Sequence, residues 1–142
     1  MTPAAPFLVG VSLALAVAAF ATRVGFDRER GFYPTVLMVV GSYYVLFAAE
    51  GSTSLILACE ALAMALFVVS AVLGFRSSLW IVVAALFAHG IFDAVHDHIL
   101  ANAGTPMWWP AFCGTYDVTA AAYLAVRLSN LPPAPRSEAR AR

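Results

Sequence analysis

Acidic and histidine side chains occur inside long apolar stretches of this sequence, where a charge is unfavourable. His89, Asp93 and His96 follow one another at spacings of four and three residues, so on a helix they share one face. Glu60 and Asp117 lie in the neighbouring apolar stretches. An ionisable side chain inside a membrane costs about 2.5–3.5 kcal/mol on insertion scales and is by default a functional group. These residues therefore mark the candidate site.

Imidazole nitrogen and carboxylate oxygen together are typical ligands of zinc, iron and manganese. We therefore predict a divalent metal site with ligands from the following residues: Glu60, His89, Asp93, His96 and Asp117. For acid–base catalysis, the predicted catalytic residues are His89, Asp93 and Asp117. The sequence lacks the Glu-x-x-His pairs of di-iron bundles and the His-Glu-x-x-His motif of zinc proteases. It therefore indicates no particular metal.

Several other interpretations stay open. The polar side chains could be hydrogen-bonded pairs that hold helices together, or they could form a pathway for protons or small ions. A haem held between two histidines is disfavoured, because all three histidines lie within one predicted helix. Cys59 and Cys113 could form a disulfide, although packing as small apolar side chains is the more common role of such cysteines.

The elements that carry these residues are predicted from hydropathy. Hydrophobic residues make up 62% of the chain and charged residues 11%, and the mean hydropathy is +0.84. This is too little charge to cover a water-facing surface. Five apolar stretches have the roughly 17–23 residues that a helix needs to cross a bilayer: about 6–22, 32–49, 52–74, 79–100 and 107–128.

We therefore predict an all-α integral membrane protein. One bundle of five transmembrane helices would occupy residues 1–130, and residues 131–142 would be a disordered tail rich in arginine and proline. The main alternative is a cleaved signal peptide at residues 1–22, which would leave four helices. That segment lacks the basic start that signal peptides carry.

The arginines predict the orientation of the bundle. All eight basic residues are arginine, and with five crossings they fall in the loops and the tail of one side. Basic residues favour the cytoplasmic side, so the N-terminus is predicted outside and the C-terminus inside. With a rise of about 1.5 Å per residue, the candidate site then lies in the outer half of the membrane.

These features predict a membrane-embedded protein with an outward-facing polar site. It would be a metal-dependent or acid–base enzyme that acts on a lipid-like substrate. Alternatively, it would be a non-catalytic accessory subunit or a small proton-coupled transporter. Membrane lipids and a membrane partner protein are the expected partners, and a net charge of zero argues against nucleic acid. Arginine without lysine, together with many alanines, is typical of a GC-rich bacterial genome and predicts the inner membrane.

Overall fold

The computed structural model describes residues 4–130, and this part of the chain is helical without a β-strand. The five helices are α1 (Ala5–Val24), α2 (Phe32–Gly51), α3 (Ser54–Arg76), α4 (Leu79–Ile99) and α5 (Trp109–Ser129), with a short 3-10 turn at Phe26–Arg28. The helical class is confirmed, and the predicted stretches agree with the helix bounds to within two residues. The predicted disordered tail lies outside the described residues.

Local sequence signals explain where the helices begin and end. Thr53 and Ser78 precede α3 and α4, and their hydroxyls accept hydrogen bonds from the backbone N–H groups of the first turns. Pro34 lies in the first turn of α2, where a missing N–H group is tolerated. Gly25 ends α1 with a φ of 92°, which glycine adopts without strain.

Four helices, α1 to α4, are long and apolar enough to cross a membrane, which indicates a multi-pass membrane protein. Helix α5 has 21 residues, like α4, but it is not among these four. The prediction of five crossings therefore stays a prediction, and so does the orientation of the two termini.

The helices form a bundle in which α5 packs between α1 and α4, and α3 packs against α2 and α4. The apolar core includes Leu37, Leu86 and Leu124, which are at most 1% exposed. Two glycines bring α4 and α5 close together. A Cβ atom at Gly90 would lie 3.0 Å from the carbonyl oxygen of Gly114, so neither helix has room for a larger residue at this crossing.

One end of the bundle carries the arginines. Arg30 donates to the carbonyl oxygens of Phe75 and Ser77, at 2.5 and 2.7 Å, and so caps the last turn of α3. Arg127 of α5 forms an ion pair with Asp27, which follows α1. We call this the arginine end, and we call the other end of the bundle, where α4 finishes and α5 begins, the opposite end.

Candidate metal centre

Two side chains of α4 and two of α5 form a compact group, here called the four-residue cluster: His89, Asp93, Cys113 and Asp117. One ligand atom of each lies within 4.8 Å of the others. His89 Nδ1 is 2.6 Å from Asp117 Oδ2 and 3.4 Å from Asp93 Oδ2. The Cys113 thiol donates to Asp117 Oδ2 across 3.7 Å. All four residues are at most 2% exposed, so the cluster could hold a metal ion inside the bundle.

The cluster follows from helical spacing and from the glycine crossing described above. His89 and Asp93 are four residues apart, as are Cys113 and Asp117, so each pair lies on one face of its helix. The glycines lie beside both pairs and hold the two faces against each other. The four donor atoms therefore converge without any contribution from a loop.

Two carboxylate oxygens of the cluster have no hydrogen-bond partner. The Tyr44 hydroxyl of α2 donates to Asp93 Oδ1 at 2.7 Å, and His89 Nδ1 is hydrogen-bonded to Asp117 Oδ2. Among the described residues, Asp93 Oδ2 and Asp117 Oδ1 are buried and accept no hydrogen bond. A buried carboxylate oxygen without a donor or a cation is destabilising, so a cation bound between these side chains could stabilise the arrangement.

A second polar group, here called the Glu60–His96 network, lies nearer the opposite end. His96 Nε2 is 2.8 Å from Glu60 Oε1. Asn102, which follows α4, donates from Nδ2 to Glu60 Oε1 at 2.9 Å and to the backbone oxygen of Tyr44 at 3.0 Å. The Ser52 hydroxyl donates to Asn102 Oδ1 at 2.8 Å. The network thus ties α2, α3 and α4 to the connection before α5.

Tyr44 stands between the two groups. Its ring stacks on the His96 ring with centroids 3.8 Å apart, while its hydroxyl contacts Asp93. The structure therefore divides the predicted metal ligands. His89, Asp93 and Asp117 lie together in the four-residue cluster, and Glu60 and His96 lie in the separate network.

Sequence reasoning missed three residues that contact the predicted site residues directly. Cys113 lies one helical turn before Asp117, and that spacing was the available signal for its role. Tyr44 and Tyr43 are adjacent, and the sequence does not tell which of them faces the site; the Tyr43 ring packs on Trp109 instead. No pattern in the sequence indicated Asn102, because it lies in the connection between α4 and α5. Cys59 and Cys113 are both free, so the suggested disulfide is absent.

Two cavities border the four-residue cluster from different sides. A groove of about 520 Å³ lies between α1, α2 and α5, with mostly apolar walls that include Val36, Val39 and Cys113. We call it the apolar groove. A cleft of about 670 Å³ lies between α1, α4 and α5, with Asp93, Asp97 and His98 in its walls. We call it the acidic cleft.

Comparison of the chain with models of protein families, with curated proteins and with solved structures found no match. The geometry of the described residues is therefore the basis for a function. It gives a membrane-type helical bundle with a buried group of one histidine, one cysteine and two aspartates that could bind a metal.

Proposed function

We propose that this chain is a membrane protein that binds one divalent transition metal ion in the four-residue cluster. Zinc is the metal that we expect the cluster to bind. One observation carries the proposal. Four donor atoms from two helices lie within 4.8 Å of one another in a buried position, and two of the four residues keep a carboxylate oxygen without a partner. Asp93 Oδ2, one of these oxygens, and Asp117 Oδ2, which already contacts His89 and Cys113, are the carboxylate ligands that a metal ion would use.

The donor set favours zinc over the harder metals. Sulfur, nitrogen and oxygen are all common zinc ligands, whereas magnesium and calcium prefer oxygen alone. Zinc bound at about 2.0–2.3 Å in a tetrahedron places its ligand atoms roughly 3.3–3.8 Å apart. The separations of 3.4 Å from His89 to Asp93 and 3.7 Å from Cys113 to Asp117 fall in this range. The 2.6 Å hydrogen bond from His89 to Asp117 would open by about 1 Å as the metal replaces the shared proton.

We further propose that all five helices cross the membrane, with the N-terminus outside and the C-terminus inside. Helix α5 has 21 residues, which corresponds to about 31 Å at 1.5 Å per residue. Its buried residues include Cys113 and Asp117, while Val118 and Val126 are exposed, as suits a helix in contact with lipid. The arginine end would face the cytoplasm, and the bacterial inner membrane is the proposed location.

Metal analysis of the purified protein tests the metal site. We expect one zinc ion per chain, and we expect it to be lost in His89→Ala and in Asp117→Asn. Glu50→Gln is the matched control, because Glu50 is an exposed acid of α2, and it should retain the metal. A wild-type protein without stoichiometric metal after growth in zinc and after titration would overturn the proposal.

A second candidate function is metal-assisted hydrolysis of a lipid-like substrate. The observation that favours it is the apolar groove, which reaches the four-residue cluster at Cys113. This activity requires that one of the four side chains leaves the metal, so that a water molecule binds in the open position and is activated. The groove would admit an apolar chain from the membrane. The test is mass spectrometry of lipids in zinc-loaded proteoliposomes. A lipid hydrolysed by the wild type and Glu50→Gln but not by Asp117→Asn would support this activity, and unchanged lipids would oppose it.

A further inference from the structure

The acidic cleft connects the four-residue cluster with the opposite end of the bundle. Asp93 belongs both to the cluster and to the wall of the cleft. Asp97 follows Asp93 by one helical turn, and its side chain is 64% exposed. His98 and Met107 also line the cleft, and Met107 is 95% exposed. The cleft therefore runs from an exposed mouth to a buried ligand of the proposed metal.

Building on the proposed metal centre, we propose that a divalent cation reaches the four-residue cluster through this cleft. Asp97 and His98 would be its first contacts, and Asp93 would pass it to the remaining ligands. The buried Asp93 Oδ2, which accepts no hydrogen bond and lies 3.4 Å from the His89 Nδ1 atom, carries the proposal, together with the shape of the cleft. Asp93 Oδ2 lies close to Gly114, which lines the cleft. A Cβ atom added to Gly114 would be 3.7 Å from this oxygen.

The size of the acidic cleft suits a hydrated ion. A volume of about 670 Å³ has room for about twenty water molecules at roughly 30 Å³ each. A cation could therefore keep most of its hydration shell until it meets Asp93. Loss of water would then be compensated step by step by carboxylate, imidazole and thiol ligands.

The charges along the acidic cleft also suit a cation. Asp97 and Asp93 lie one turn apart, or about 6 Å along the helix axis, so a cation at the mouth meets one carboxylate before it reaches the next. Asp97 Oδ1 also lies 3.3 Å from His96 Nδ1, which orients this carboxylate at the mouth. The walls of the cleft are otherwise mostly apolar, and an exposed carboxylate such as Asp97 at its mouth raises the local concentration of cations and their rate of association.

The apolar groove is the poorer route for an ion. Among its described lining residues, Glu29 is the one charged side chain, and it lies near the arginine end. A cation in this groove would face valine, leucine and phenylalanine side chains over most of its path, where an unpaired charge is strongly unfavourable. Both cavities have mostly apolar walls, and they differ in that the acidic cleft carries Asp93, Asp97 and His98 along the path to the cluster.

Stopped-flow absorbance of Co²⁺ binding to the full-length protein in detergent tests the route. For Asp97→Asn we expect association to slow by about three- to tenfold at low ionic strength, and the difference should shrink in high salt. Ala94→Trp places a bulky ring in the cleft wall at an exposed position. It should slow association and dissociation equally and leave the Kd unchanged. Val39→Trp in the apolar groove is the matched control and should leave both rates unchanged.

The outcomes separate the route from the metal centre. Co²⁺ binding by the wild type, with unchanged rates in both Asp97→Asn and Ala94→Trp, would overturn the route and leave the metal centre in place. Slower binding in Val39→Trp alone would also overturn it, in favour of the apolar groove. A wild-type protein that takes up no Co²⁺ or zinc would overturn the metal centre, and the route with it.

Discussion

Tyr44 contacts both polar groups of the bundle with different parts of one side chain. Its hydroxyl donates to Asp93, and its ring stacks on His96. Partners of metal ligands orient those ligands, and their loss typically weakens metal binding by about 10–100-fold. We therefore expect this weakening in Tyr44→Phe, in which the ring remains, measured by zinc titration against a competing chelator.

The neighbouring tyrosine provides the control for this prediction. The structure shows no hydrogen bond from the Tyr43 hydroxyl among the described residues, and the Tyr43 ring packs on Trp109. Tyr43→Phe should therefore bind zinc as the wild type does. Equal affinity in Tyr44→Phe and Tyr43→Phe would mean that the bond to Asp93 does not orient a metal ligand.

Glu60 is expected to stabilise the fold without binding the metal. Its Oε1 atom contacts His96 and Asn102. Glu60→Ala would leave the buried His96 and Asn102 side chains without this hydrogen-bond acceptor. We expect a loss of about 1–3 kcal/mol in the free energy of unfolding, with the zinc content unchanged. Glu60→Gln keeps an acceptor oxygen and should lose less. Thermal unfolding in detergent and metal analysis measure the two effects. Loss of zinc from a folded Glu60→Ala variant would show that Glu60 belongs to the metal centre.

At the scale of the helices, the metal centre depends on how closely α4 and α5 approach. A Cβ atom at Gly90 would lie 2.8 Å from a Val118 methyl group and 3.0 Å from the Gly114 carbonyl oxygen. Since the backbone cannot yield as a side chain does, Gly90→Ala should push the helices apart. We expect a loss of about 1–3 kcal/mol in stability and weaker zinc binding, because the ligands of the two helices would separate.

Gly41→Ala is the matched control for the helix crossing. A Cβ atom at Gly41 would meet the Phe67 side chain at 3.4 Å, an ordinary contact. This variant should keep the stability and the zinc affinity of the wild type. If Gly90→Ala also kept both, the glycine crossing would not be what positions the four ligands.

The helices were predictable from the sequence, whereas their packing was only partly so. Long apolar runs with Thr53, Ser78 and Pro34 at their starts predict the bounds, because length and capping are local properties. The shared face of His89 and Asp93 is local as well. The rotation of α4 against α3 and α5 is set by contacts between helices, such as the Gly90–Gly114 crossing. For this reason the separation of Glu60 and His96 from the cluster could not be predicted. The spacing of Cys113 and Asp117 places both on one face of α5, but it does not show that this face meets His89 and Asp93.

At the scale of the whole molecule, the arginine end relates the topology to the position of the metal centre. The five arginines among the described residues belong to the turn after α1 or to the ends of α1, α3 and α5 at this end. If this end faces the cytoplasm, the mouth of the acidic cleft opens on the outer side. The proposed cation would then come from outside the cell, and the cytoplasm would have no access to it through this cleft.

The predicted topology depends on whether α5 crosses the membrane. Single cysteines placed before and after α5 test this. Met107 precedes α5 and Asn130 follows it, and both are exposed. In a Cys59→Ala background, an impermeant maleimide added to intact cells should label Met107→Cys and not Asn130→Cys. Asn130→Cys should react only after the cells are permeabilised. The Cys59→Ala variant without an added cysteine is the control. Its remaining cysteine, Cys113, is buried and should not react. Labelling of both positions in intact cells would mean that α5 does not cross, and the reverse pattern would place the cleft mouth and the metal supply on the cytoplasmic side.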